Sequence, residues 1–140
     1  MTDYSGSPLA GDAFLAQLYM GPDANSLAPQ GRAVNFLTGG GAGYFRDTEV
    51  VVVDNVAPGA EGVAQVRTWG SGAGTWEDAL ASNLYVASGN VFLQATGGAG
   101  SPPGLPANMV NFTAFSLVPE PSPAALGVLG GIALALRRRR

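Results

Sequence analysis

The stretch VAQVRTW, Val63 to Trp69, decides the fold class. Val63, Gln65, Arg67 and Trp69 fall on one side of an extended chain, and Ala64, Val66 and Thr68 on the other. A period of two carried by branched and aromatic side chains is a strand. Upstream, Ala57-Pro58-Gly59-Ala60 is a turn. Before it lies the most β-prone run of the chain, EVVVVDNV, Glu49 to Val56. Its four consecutive valines predict a strand buried on both faces, or one central in a sandwich. Downstream, Gly70 to Gly74 breaks the chain. Thr75 to Ala81 then predicts a short helix, with Thr75 as N-cap and Glu77 and Asp78 favoured by the dipole of the first turn.

Further outward the same grammar repeats. Asp3 to Asp12 is turn-rich. Ala13 to Met20 reads as a strand; helix propensity is adequate there too, but Gly11 and Gly21-Pro22 on its flanks point to a short element. Gly21 to Gly31 reads as a loop, Ala33 to Leu37 as a short strand, Thr38 to Gly43 as a turn, and Tyr44-Phe45 as the start of another extended piece. Val91 to Thr96 and Val110 to Leu117 are the last two predicted strands, separated by a Gly/Pro loop. About seven short strands and one helix predict a mainly β body over residues 1–117, an antiparallel β-sandwich of jelly-roll or immunoglobulin-like type.

Composition narrows the chemistry. The chain holds 21 glycines and 10 prolines, close to the level of a disordered protein, but 46% of it is hydrophobic and the apolar residues come in runs, so these residues mark turns. There is no cysteine and no histidine, which removes disulfides, thiolate chemistry and the commonest general base and transition-metal ligand. Up to Glu120, three arginines (Arg32, Arg46, Arg67) face ten acids, so the chain ahead of the uncharged run carries −7. Such a body gains nothing from counterion release, which excludes nucleic acid as a partner.

Several motifs carry little. The glycine runs at Thr38 and Thr96 lack the lysine of a phosphate loop and open no clear helix. Asp47 with Glu49, or Glu77 with Asp78, could form a glycosidase pair, but both sets sit at element ends where solvated acids are ordinary. Asp12, Asp23, Asn25 and Asp54 are loop oxygens of the calcium-binding kind without the spacing of a calcium loop, so no metal is expected. The sequon at Asn111 falls inside a predicted strand. Arg67 is expected to pair with a carboxylate. Trp69, Trp76 and Tyr85 are the candidates for a sugar-stacking face, against the alternative that both tryptophans are core.

The C-terminal stretch VPEPSPAALGVLGGIALALRRRR, Val118 to Arg140, has three parts in fixed order. Pro119-Glu120-Pro121 is stiff and extended, because a residue before proline is driven to β or polyproline geometry. Ser122 to Leu136 is uncharged. Its apolar body consists of Ala124, Ala125, Leu126, Gly127, Val128, Leu129, Gly130, Gly131, Ile132, Ala133, Leu134, Ala135 and Leu136. As a helix the run from Ser122 spans only roughly 20–24 Å, short of a comfortable crossing. Arg137, Arg138, Arg139 and Arg140 decide the matter: four guanidinium groups stay cytoplasmic while their stems snorkel to lengthen a short span. The body then lies on the non-cytoplasmic side. No polar face at helical spacing supports a soluble core helix in its place.

Pro-Glu-Pro, a short apolar segment and a terminal arginine cluster together resemble the PEP-CTERM sorting signal of bacterial envelope proteins. The resemblance implies export by the secretion machinery, retention in the inner membrane by the tail, and recognition by exosortase, a membrane cysteine protease-transferase acting near Pro119, Glu120 and Pro121. The body is similar to a recurring type of PEP-CTERM cargo through AQLYMG (Ala16 to Gly21) and QVRTW (Gln65 to Trp69). An exported chain needs a basic and then apolar leader, which Met1 to Gly6 does not supply, so this reading places the start upstream. The combined expectation is a non-enzymatic exported protein without cofactors, made of a body (1–117) and a sorting tail with a hydrophobic helix (118–140). Its destination is the cell envelope or extracellular matrix. The alternative is a carbohydrate-binding module on the same tail, with extracellular polysaccharide as its partner; a flat exposed row including Trp69 or Trp76 distinguishes it.

Overall fold

Two of the stretches that stand out in sequence become direct neighbours in space. In the computed structural model, which describes residues 1–47, 49–82, 85–98, 104–105, 108–109 and 111–117, Ala16–Gly21 lies in strand β1 (Gly11–Gly21) and Gln65–Trp69 in strand β3 (Glu61–Gly70). The two pair antiparallel, with Leu15 opposite Trp69, Gln17 opposite Arg67 and Tyr19 opposite Gln65. Strand β2 (Ala28–Phe36) pairs along the other side of β1. The helix α1 (Trp76–Ala81) follows β3, and the short strands β4 (Val86–Ser88) and β5 (Phe92–Ala95) both pair with the free side of β3. The described residues thus form one five-stranded antiparallel sheet in the order β2-β1-β3-β4, with β5 continuing the β4 edge.

That last edge is one strand interrupted. Ser88 stands opposite Arg67 and Phe92 opposite Ala64, so three residues (89–91) face two on β3 (65 and 66), which is a bulge. Gly89 sits in it because a side chain there would drive into the Phe115 ring at 2.9 Å. A second irregularity lies between β1 and β2, where Gly31 adopts φ +61° and the Gln17 amide donates to its carbonyl at 2.9 Å.

The two faces of the sheet are covered differently. One face presents Ala16, Met20, Ala64, Val66 and Phe92, and is packed by Leu9, Phe45, Val53, Val56, Phe112, Phe115 and Leu117. These come from extended segments outside the ladder, joined by isolated bridges at Thr2–Pro8, Thr2–Ser116 and Phe36–Phe45. The opposite face presents Leu15, Tyr19 and Trp69 and is covered by α1 through Trp76 and Ala79. Thr75 caps that helix as expected: its Oγ1 accepts the Asp78 N–H at 3.1 Å and its hydroxyl donates to Asp78 Oδ2 at 2.7 Å.

Several expectations are corrected. Glu49 to Val56 is no central strand. It runs outside the ladder with Val50 and Val52 68% and 70% exposed, Val51 against Gly31 and Val53 in the core. Its end is tied down by side chains instead: Asn55 Nδ2 donates to the Met20 carbonyl at 2.7 Å, and Gln30 Nε2 to Asn55 Oδ1 at 3.1 Å. The loop expected at 21–31 is cut short, because β2 begins at Ala28 with Pro29 tolerated in an edge strand. Residues 111–117 form no strand; Ser116 makes a single bridge, and Phe112, Phe115 and Leu117 pack on the sheet. The short β4 is an addition. The hydrophobic helix expected in the tail falls outside the described residues, among which no helix is long and apolar enough to cross a membrane.

Candidate functional site

The face under α1 assembles the most varied chemistry in the molecule. β1 and β3 bring Tyr19 and Arg67 to one side of the sheet, and α1 folds Trp76 and Glu77 over them. The Arg67 guanidinium carbon lies 4.1 Å from the Tyr19 ring centroid and 5.3 Å from that of Trp76. Its Nε donates to Gln65 Oε1 at 3.0 Å, and Gln65 Nε2 donates to the Gly89 carbonyl at 3.1 Å. The expectation of a carboxylate partner for Arg67 is therefore corrected: among the described residues it makes no ion pair and is held by two aromatic faces and an amide. The nearest carboxylate of this cluster, Glu77, is engaged elsewhere, accepting the Tyr19 hydroxyl at 3.0 Å.

This arrangement fixes the chemistry of Tyr19. Burial disfavours the phenolate, and the hydrogen bond to Glu77 and its negative charge add to that effect; Arg67 pulls the other way, and the phenol is pushed up to about 12. The folded value lies above the ordinary value of 10, so the stabilisation is fully present below pH 10 and is lost as pH rises through 12. An alkaline titration followed by phenolate absorbance should show a component near pH 12 that accompanies loss of structure and disappears in Tyr19→Phe. Completion of the whole phenolate signal by about pH 11 would show that Tyr19 is not so held.

The sequence candidates for a sugar-stacking face are separated. Trp69 is fully buried in the interior, and Trp76, also buried, meets it edge to face at 6.4 Å and 77°. Tyr85 stands apart, 46% exposed, with its ring stacked on that of Tyr4 at 5.9 Å and 11°, and Phe14 edge-on to it at 6.4 Å. Tyr4 was not legible as a partner, because the contact depends on a hairpin at residues 2–8 reaching a strand about eighty residues away.

The carboxylates are dispersed over the fold. Asp47 and Glu49 both bind Arg32, at 3.2 and 3.5 Å. Asp78 serves the helix cap and Glu77 serves Tyr19. Asp12 lies near the start of β1, whereas Asp23 and Asn25 lie beyond its other end, where Asp23 Oδ1 accepts the Asn25 N–H at 2.8 Å. Hydrogen bonds from Ser26 and from the Asn25 backbone hold the Asp23 carboxyl below its ordinary value. Among the described residues no group of three or more acids is placed to hold a metal ion.

The proposed sorting residues Pro119, Glu120 and Pro121, the run Ala124 to Leu136 and Arg137 to Arg140 lie outside the described residues. The body holds the chain up to their threshold: Leu117 is buried, its N–H donates to the Thr2 carbonyl at 2.9 Å, and Ser116 Oγ is 2.6 Å from Thr2 Oγ1. In comparison with known proteins, the chain matches no family model, no curated protein and no solved structure.

Proposed function

We propose that this chain is a non-enzymatic exported protein of the cell envelope or extracellular matrix, sorted by its tail along the PEP-CTERM route with exosortase as the processing partner. The observation that carries this reading is the order of the last 22 residues after Val118: a proline-flanked acid, an uncharged run and four terminal arginines. It is supported by where the body ends. Leu117, the last of the described residues, is anchored in the core, so Pro119 stands two residues beyond a fixed point. The body is a passenger whose polar groups are largely satisfied within it, as Arg32, Arg67, Glu77 and Asp78 are. We read the body as a β-sandwich with one leaf reduced to bridges, a reading supported by the layer of extended segments over the Ala16–Met20 face. The alternative as a saccharide-binding module loses support from the burial of both tryptophans.

The test is the C-terminus of the mature protein in a bacterium that carries exosortase. Mass spectrometry should find Arg137 to Arg140 removed, and Pro119→Ala with Pro121→Ala should leave them in place. A mature envelope-bound protein that retains Arg140 would overturn the reading.

A further inference from the structure

The direction in which the body releases its tail is set by one contact. Thr2 and Ser116 form a parallel bridge, so Ser116-Leu117 runs the same way as Thr2-Asp3-Tyr4. The chain therefore leaves toward the tip of the hairpin at residues 2–8, the tip that carries Tyr4. That tip sits at a definite end of the sheet. Tyr4 stacks on Tyr85, which precedes Val86 opposite Trp69, and Tyr85 touches Phe14, which stands opposite Gly70. This is where β1 begins, β3 ends and β4 begins. It is also where β2 ends, since Phe36 is opposite Gly11, and just past it come Leu37 and Tyr44. Three of the chain's four tyrosines are thus exposed at one end, Tyr4 at 61%, Tyr44 at 71% and Tyr85 at 46%, while the fourth, Tyr19, is buried.

We propose that this tyrosine-bearing end is a bilayer-docking surface, which sits at headgroup level when the tail is in the membrane. The inference rests on the reading of the tail as a membrane anchor. Tyrosine, with an apolar ring and a polar tip, is the side chain suited to the boundary between lipid and water. The linker length supplies the second argument. Five residue steps lead from Leu117 to Ser122, where the uncharged run begins. At the ~3.1 Å per residue of a proline-rich segment they reach about 15–16 Å. Thr2 pairs with Ser116, so Leu117 is level with Asp3 and only Tyr4 reaches further in the same direction, by about 3.5 Å. The gap left between the Tyr4 tip and the hydrocarbon is at most about 12 Å, the ~5–8 Å depth of one headgroup layer and a few ångströms more. So short a tether keeps the exit end of the body turned to the headgroups and within a few ångströms of them. The surface is selective in sign. Asp3 is ionised at the tip, accepting hydrogen bonds from Ser5 and Ser7, and the body is acidic, so a zwitterionic surface suits it and an anionic one does not.

The absence of cysteine allows a direct test on the full chain. Single Tyr44→Cys and Ala24→Cys variants, the latter in the turn between β1 and β2 at the opposite end, carry an environment-sensitive fluorophore. They are reconstituted in phosphatidylcholine vesicles containing a headgroup nitroxide lipid. Quenching at position 44 should exceed that at position 24 several-fold. It should fall toward the position-24 level when Tyr4→Ser and Tyr85→Ser are added, with flotation of the vesicles unchanged. Vesicles containing anionic lipid should reduce the difference. Failure of the full chain to float with vesicles both without and with anionic lipid overturns the membrane reading of the tail, and docking with it. Flotation with equal quenching at both positions overturns the docking alone. Unchanged quenching in the tyrosine variants, together with their loss of binding to an isolated exopolysaccharide, assigns the tyrosines to a saccharide and likewise overturns it.

Discussion

Trp69→Ala should lower the stability of the body by about 3–5 kcal/mol, the usual cost of removing a fully buried aromatic. Few single changes have more to remove. Trp69 is completely shielded from solvent, faces Leu15 across one ladder and Val86 across the other, and meets Trp76 edge to face. That ring pair adds about 0.5–1.5 kcal/mol beyond area alone. A domain of this size has about 5–15 kcal/mol in total, so the variant approaches the point of unfolding. The effect reads as a lower urea midpoint at unchanged slope. Trp69→Phe separates volume from polarity. The Trp69 Nε1–H is buried and finds no acceptor among the described residues, and an orphaned donor costs about 1–3 kcal/mol. Phenylalanine abolishes that cost while shrinking the ring, so its loss should be well below that of alanine. Tyr85→Ser, at an exposed ring, should leave the midpoint almost unmoved. Equal midpoints for Trp69→Ala and the native chain would place this tryptophan outside the core.

The contrast between Trp69 and Val51 shows what the sequence could tell. Alternation made the faces of β3 legible, because a half-buried strand must place every second residue inward. The four valines of 50–53 carried an equally strong β signal, yet propensity reports only how a side chain fits a pleated surface and names no partner. The segment does stay extended, with Val51 and Val53 inward and Val50 and Val52 outward, but what receives Val51 is the missing side chain of Gly31. Gly31 and Pro29 also hid β2: both weaken a strand, and an edge position with a bulge tolerates them. Arg67 shows the same limit for the candidate site. Counting charges predicted a carboxylate, while its actual neighbours, Tyr19 and Trp76, depend on the β1–β3 register and on where α1 folds back. Exposure of Tyr4 and Tyr85 is likewise tertiary and left no periodic trace.

Removal of residues 118–140 should release the body from the membrane without weakening it. On insertion scales Leu126, Val128, Leu129, Ile132, Leu134 and Leu136 contribute roughly 0.3–0.6 kcal/mol each, or roughly 2–3.5 kcal/mol together. Glycine and alanine add little, so the run favours the bilayer by roughly 30- to 400-fold, a weak anchor by itself. Arg137 to Arg140 against an anionic cytoplasmic leaflet add about 1 kcal/mol each, which makes the arginine cluster at least the equal of the apolar run. Two variants of the full chain follow from this balance. Replacing all four arginines by Glu should cost as much retention as losing the whole run. Leu129→Arg, at mid-run, adds at least ~2.5 kcal/mol and should cancel nearly all the run contributes. On the proposed reading of the tail as an anchor, the urea midpoint of the body should stay put in both variants and in the truncated chain, since the core described above is built from residues up to Leu117. Fractionation and denaturation therefore separate the two explanations of the tail. If truncation lowers the midpoint while the protein stays where it was, the run 122–136 is packed into the body as a core helix and the anchor is elsewhere.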